Sequence, residues 1–425
     1  MSAVGPSAPA RALDAAPASL PRPSDLERWL AADSEARPAR LAALRARMER
    51  EGVGGYFGVR RENSRYLTGF VLADGEEKVA GVSGQFLVSA DETVVLADSR
   101  YRLQAQEECP TSRIEDVYND LPKRWPELLA SLAPSGGRAA GAAARGGARR
   151  IAVEAGFVSH ATWTRLAEAA PDIELVPAEG WVEELRQVKE PAELERVAAA
   201  CAVADAALTR LLPSIRPGMA EAELALELEW DMRTNGAEAL AFPVACLSGP
   251  RAALPHGSPG ARRIALAEVL LFDFGAQVCG YRSDMTRTLF VGQPTARDLA
   301  VYRLVAEAQQ TAFGVLAEAV AAGQAPLNRA VDAAARDVVA AGGHGERFGH
   351  GLGHGIGLAT HELPTMGRLA PERPLPSPTV FSVEPGVYLD GETGVRIEDL
   401  VLFDVGGRRL ERLTSFPREV TVVGE

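Results

Sequence analysis

Five residues able to hold a metal ion fall in the C-terminal part of this chain at spacings that suit one site: Asp273, Asp284, His354, Glu384 and Glu398. Four carboxylates and one imidazole gathered in a core repel one another unless cations neutralise them, and two divalent ions supply four positive charges against four negative ones. A pair of ions ~3.5–4 Å apart makes a nucleophile from water at neutral pH and polarises a carbonyl. The residue types therefore point to a two-metal hydrolase. Oxygen-rich ligation with a single imidazole suits Mn²⁺, Fe²⁺, Co²⁺ or Zn²⁺ rather than Cu(I). The thiolates that structural zinc prefers are absent from the set, and Mg²⁺ or Ca²⁺ would leave the histidine without a purpose. Mn²⁺ is the expected metal.

These residues need elements that bring them together. In Val269–Phe290 two apolar runs flank a short glycine-containing turn, a hairpin pattern. With Val278-Cys279 as its two-residue loop, Asp273 and Asp284 become direct cross-strand neighbours, where like charges destabilise a sheet unless a cation intervenes. Thr379–Leu389 and Gly394–Phe403 flank Asp390-Gly391-Glu392-Thr393, and an odd-length loop centred on Gly391 sets Glu384 opposite Glu398. Burying Glu384 between Val383 and Pro385 without a partner would cost several kcal/mol or force it neutral. The third piece is Gly349–Glu362, where glycines alternate at 349, 351, 353, 355 and 357. Each would cost a helix ~1 kcal/mol, so an extended strand is expected, with a glycine face that another backbone or a substrate approaches closely. His350 and His354 then lie ~13 Å apart along it, and only one of them can ligate the site.

The rest of the chain bounds the reading. Its 425 residues suffice for two domains, and 45 basic against 57 acidic residues, net −12, argue against nucleic acid as a partner. No unbroken apolar run approaches ~18 residues, so no membrane span is expected. Cys109, Cys201, Cys246 and Cys279 are scattered without a CxxC pair, as in a reduced cytoplasmic protein, and Cys279 reads as packing rather than ligand. Residues 1–36, rich in Ala, Pro, Ser and Arg and lacking a secretory h-region, read as a disordered tail. Residues 37–180 read as an α/β domain, with a helix over Leu41–Glu51 closed by Gly52 and strands at Gly84–Ser89, Thr93–Ala97 and Ile151–Val153. Ser135–Arg150 reads as a flexible loop. Residues 185–425 form the second domain, with helices expected over Pro191–Leu212, Ala220–Arg233, 297–321 and 327–341.

Taken together, PHGSP (Pro255–Pro259), DFGAQVCGYRSDMTRT, HGLGHGIGLATHELP, SVEPGVYL and GVRIEDL resemble the pita-bread metallopeptidases, in the branch of aminopeptidase P and prolidase. The resemblance covers roughly residues 37–425, and NSRYLTGF (Asn63–Phe70) is similar to the creatinase-type domain that precedes the catalytic one in that branch. It implies an α+β protein, a C-terminal pita-bread fold after a smaller α/β domain. It implies that the five residues are the ligands of two ions, with Asp284 and Glu398 bridging. His256 and His361 would contact the substrate or the tetrahedral intermediate, and Glu384 would also carry a proton. His350 would line the pocket for the first two residues of a peptide, and Arg396 would sit beside Glu398 and that pocket. The implied reaction is hydrolysis of the bond between an N-terminal residue and proline, as an aminopeptidase or a dipeptidase, in a homodimer or larger homo-oligomer. Other readings are a hydrolase or lyase of the same fold acting on a small non-peptide substrate, or a non-catalytic peptide binder. Methionine aminopeptidases lack the first domain, and creatine amidinohydrolase lacks the ligands.

Overall fold

A computed structural model describes residues 13–14, 18–73, 75–76, 79–132 and 149–424. It separates into one unit spanning Leu30–Leu185 and another formed by the N-terminal residues through Trp29 with everything from Arg186 onward. The smaller unit is built on a six-stranded mixed sheet, ordered Arg113–Asp116, Thr93–Ala97, Phe86–Ser89, Gly55–Gly58, Arg149–Glu154 and Ile173–Ala178. Its three central strands pair antiparallel and its flanks parallel. Phe57, Leu87, Val94 and Val153 pack there against Trp125 and Leu128 of the helix Leu121–Ser131 and Leu166 of the helix His160–Ala169. The strands expected here are present. Of the loop expected at Ser135–Arg150, residues 135–148 lie outside the described residues, and Arg149 already opens a strand.

The expected tail is shorter than composition suggested. A helix runs from Pro23 to Glu51, so its first fourteen residues occupy a stretch expected to be disordered. Pro23 suits the first turn of a helix and Asp25 the positive end of its dipole. Trp29 fixes it to the larger unit: its ring packs with Val203 and Ala207, and its indole N–H donates to Glu195 at 2.8 Å.

In the larger unit, four strands run in the order Val422–Val423, Met285–Val291, Glu268–Phe274 and Ala245–Ser248. A second sheet runs Leu13–Asp14, Arg409–Arg412, Asp399–Asp404, Thr379–Val383, Gly353–Gly355 and Glu362–Met366, and Gly386–Leu389 with Thr393–Arg396 form a separate ribbon. The helix Pro191–Leu211 starts where Pro191 was expected to start it, with the Glu193 carboxylate accepting from the Glu190 N–H at 2.7 Å. By length and composition alone the segment Pro191–Ser214 could cross a membrane, but 61% of its apolar window is buried within the fold. Its Ala200, Val203, Ala204 and Leu208 pack on Leu270, Phe272 and Phe274, as a core helix does. The helices Ala296–Ala322 and Asn328–Ala341 cover the other sheet, with Val305, Ala312 and Leu316 against Phe381, Val383 and Val401. Each carboxylate-bearing hairpin is thus backed by packed helices.

Candidate active site

The glutamate hairpin folds in the expected register. Val383 pairs with Asp399 in one sheet and Gly386 with Arg396 in the ribbon, a single alignment that carries through Glu384 and Glu398 and closes at Asp390-Gly391-Glu392. Gly391, at φ +74°, supplies the left-handed residue that turn requires.

The aspartate hairpin does not fold in the expected register. Val278 pairs with Tyr281, Cys279 and Gly280 form the loop, and Asp273 faces Thr286 rather than Asp284. The reason lies in the turn. Both loop residues have positive φ, +47° and +84°, as a type I′ hairpin demands. The β-branched Val278 resists that conformation, whereas Gly280 adopts it freely. Asp284 therefore sits two residues from Thr286, diagonal to Asp273 and on the same face. The Cys279 thiol is buried at this turn and is not among the residues that converge on the site.

The glycine-rich segment is strand only at Gly353–Gly355, with a bulge after His354, so the long extended strand expected over Gly349–Glu362 is cut short. The close approach expected of its glycines is present. A Cβ on Gly353 would lie 1.9 Å from the Ser382 carbonyl oxygen, and one on Gly355 would lie 2.1 Å from that of Leu363. Backbone presses on both glycines, and this draws His354 against the glutamate strand. Ser382 Oγ accepts from the His354 N–H at 3.0 Å and donates to Glu384 Oε1 at 2.9 Å.

Asp284, His354 and Glu398 converge so that one ligand atom of each lies within 4.8 Å of the other two. Glu384 Oε1 is 3.3 Å from His354 Nε2, and Asp284 Oδ2 is 3.7 Å from it. The His354 Nδ1 lies 3.1 Å from the Gly355 carbonyl, which can only accept, so Nδ1 carries the proton and Nε2 turns a lone pair toward two carboxylates. Burial holds this imidazole below its usual pKa. Burial also pushes Asp284 well above the carboxylate range, with Glu398 and Asp273 adding to it. Glu398 is raised by burial and then by Glu384 and Asp273, and burial raises Glu384 as well. Asp273 Oδ1 and Glu398 Oε1 are buried without a hydrogen-bond partner. Acceptors facing acceptors, with orphaned oxygens among them, are what divalent cations would satisfy, and an imidazole whose other nitrogen donates to a backbone carbonyl is oriented as metal-binding histidines are.

These residues line one cavity of about 640 Å³, together with His256, His350, His361 and Arg396. The His361 ring lies tilted against that of His354, centroids 4.2 Å apart, and burial followed by that neighbour lowers its pKa. His350 is tied to Gly351 O through Nδ1 at 2.8 Å, so its Nε2 accepts from the Tyr388 hydroxyl at 2.9 Å. Arg396 is more committed than the sequence suggested: it donates to Asp273 Oδ2 at 2.6 Å, Thr286 Oγ1 at 2.8 Å, Tyr388 OH at 2.9 Å and Pro255 O at 3.2 Å. Its guanidinium holds the site's own groups.

Sequence reasoning missed Thr286, which donates to Glu398 Oε2 at 2.7 Å, and Tyr388. It also missed a buried layer behind the glutamates. Gln309 Nε2 donates to Val383 O, Ile397 O and Asp399 Oδ2, and Arg287 donates to Glu398 O and Asp399 Oδ1. The one available signal was Asp399 beside Glu398, a charge in an apolar strand that needed a partner.

The family model described as metallopeptidase family M24 matches residues 195–404, and that of the creatinase/prolidase N-terminal domain matches residues 40–188. A Bacillus subtilis protein described as an uncharacterized peptidase is 31% identical over 384 residues, covering 90% of this chain and all of its own. The chain belongs to metallopeptidase family M24. A protein described as the Xaa-Pro dipeptidase of Pyrococcus horikoshii is 37% identical over 56% of this chain and 66% of its own length. Among solved structures, an Xaa-Pro dipeptidase from Bacillus anthracis superposes with a TM-score of 0.78 at 30% identity, covering 91% of this chain and all of that one. An X-Pro aminopeptidase from Thermotoga maritima superposes at 0.76 with 31% identity, covering 90% and 99%. The protein is therefore a metallopeptidase with a creatinase-type N-terminal domain and a pita-bread catalytic domain; M24 membership implies divalent metal ions, and a buried Asp/His/Glu cluster is present.

Proposed function

We propose that this enzyme hydrolyses the bond between an N-terminal residue and a following proline, and that Asp273, Asp284, His354, Glu384 and Glu398 would hold two divalent ions, Mn²⁺ in this reading. The observation that carries this reading is the His354 Nε2 lone pair aimed at Glu384 and Asp284, beside the orphaned oxygens of Asp273 and Glu398. When bound, the ions would supply a water made nucleophilic at neutral pH and positive charge for the carbonyl oxygen. The protein's own groups do the rest. Glu384, raised by burial and steadied by Ser382, takes a proton and passes it to the departing proline nitrogen. His361, kept neutral by burial, donates a hydrogen bond to the developing oxyanion together with His256. Tyr388 and Gly351 hold His350 still at the wall that receives the first two residues of the peptide. Reduced, buried cysteines accord with a cytoplasmic enzyme.

The test is hydrolysis of Ala-Pro and Ala-Pro-Gly-Gly against matched peptides without proline and against small non-peptide amides. Preference for the proline peptides, lost on chelation and restored by Mn²⁺, supports the reading, and the ratio of the first two measures the peptide length accepted. Full turnover without metal, or preference for non-peptide amides, refutes it.

A further inference from the structure

His256 is exposed and lies outside any strand or helix, in a segment whose two ends are fastened from behind. The fastening residue is Glu221, the first residue of the helix Glu221–Thr234, which does not line the cavity and has no exposed surface. A carboxylate at a helix N-terminus is favoured by the helix dipole, and this one is also saturated with donors. One oxygen accepts from the Ser248 N–H at 2.8 Å and its hydroxyl at 2.9 Å. The other accepts from Arg251 Nε at 3.0 Å and the Gly260 N–H at 3.2 Å. Arg251 reaches on to the Ser258 carbonyl at 2.6 Å. The helix backbone completes the bracket: the Ala222 N–H donates to Gly260 O and the Glu221 N–H to Arg262 O, both at 3.0 Å. On the cavity side, beside His256, Arg396 donates to Pro255 O at 3.2 Å.

We propose that Glu221, acting through Arg251, is a positioning residue that sets the place of His256 over the cavity. The proposal rests on the role assigned above to His256. An imidazole on an exposed loop has little packing of its own, so its position is inherited from the loop's two ends, and a displacement of about 1 Å at a reacting centre can cost a hundredfold in rate. Glu221→Gln keeps the shape of the side chain, but either orientation of the amide turns an NH₂ group against the donors at Ser248 or at Arg251 and Gly260.

The experiment is a kinetic cycle on Mn²⁺-loaded enzyme with a proline peptide: wild type, Glu221→Gln, His256→Ala and the double variant. The expected result is a kcat about tenfold lower for Glu221→Gln with KM changed less than about threefold, a larger loss for His256→Ala, and a double variant no slower than His256→Ala. Arg251→Met, which leaves the buried carboxylate in place, should show a smaller loss that also vanishes in the His256→Ala background. It provides the answer if Glu221→Gln does not fold. Losses that multiply in the double variants, or full activity of both Glu221→Gln and Arg251→Met, overturn the proposal while leaving His256 in its role. A fully active His256→Ala enzyme overturns that role and the proposal with it.

Discussion

Removing the metal should destabilise this protein in a way that depends on pH with a definite sign. Four carboxylates converge on the cavity, and the buried guanidinium of Arg396 is the one Arg or Lys group among the described residues that line it, so three negative charges would stand uncompensated if all four ionised. The stripped protein avoids this by keeping protons: burial and neighbouring carboxylates raise Asp284 and Glu398 well above the usual carboxylate range, and burial raises Glu384. A carboxyl group whose folded pKa lies above its unfolded value contributes stability that is full below the unfolded pKa, near 4, and is lost as pH rises through the folded value. The stripped protein therefore loses stability upward from about pH 4 through these groups, whereas cations displace the protons and stabilise the ionised set. At free Mn²⁺ of a hundred times Kd, binding adds about 2.7 kcal/mol, or roughly 5–10 °C for a catalytic unit of this size. Scanning calorimetry on chelated and Mn²⁺-loaded enzyme should give a metal-induced rise in Tm that is larger at pH 7.5 than at pH 5.5. Glu398→Gln should invert the comparison at pH 7.5: stripped, it melts above stripped wild type, because the amide need not hold a proton that the unfolded carboxyl would release at that pH, while with Mn²⁺ it melts below loaded wild type. A metal-induced rise that is flat or falling with pH, or a stripped Glu398→Gln less stable than stripped wild type, would refute the reasoning.

Glu384→Gln and Asp273→Ala should each lower kcat on a proline peptide by at least about a hundredfold with metal supplied, measured alongside bound metal by mass spectrometry. Gly353→Ala should destabilise by about 3 kcal/mol, read as a lowered Tm, because its Cβ would stand 1.9 Å from a carbonyl oxygen of the strand that carries Glu384. Asp399→Asn leaves the Arg287 guanidinium buried with a neutral partner and should cost about 3–5 kcal/mol in urea unfolding. It should also weaken Mn²⁺ binding by about 10–100-fold in calorimetry, since the adjacent Glu398 loses its support.

The residues that meet in the cavity were legible because ligand chemistry restricts residue type and hairpins restrict spacing. Glu384 and Glu398 fold as read, since Gly391 is the natural left-handed residue of their turn. Asp273 and Asp284 were rightly placed on one face but misaligned, because the turn chemistry of Cys279-Gly280 overruled the symmetry of the flanking apolar runs. His354 was not separable from His350 by spacing alone. The glycines between them did imply the close backbone approach that the structure contains. The helix through Trp29 was hidden by composition: Ala, Pro, Ser and Arg read as a tail until Trp29 finds Glu195, some 166 residues away.

That last distance states the general difficulty. Asp273 and Asp284, or Glu384 and Glu398, are joined by a single turn, so their proximity is encoded within about a dozen neighbouring positions. The residues that orient them are not. Thr286 reaches Glu398 across 112 positions, Arg396 reaches Asp273 across 123, and Gln309 reaches Val383 across 74. A threonine or glutamine is an ordinary residue in a strand or helix, and nothing in its local pattern says what it will meet. Only the packing of two hairpins against each other, each under its own helix layer, decides which oxygen of Glu398 is satisfied by Thr286 and which is left over. That leftover oxygen, with its counterpart on Asp273, is what the proposed cations would satisfy, and it exists only at the level of the folded chain.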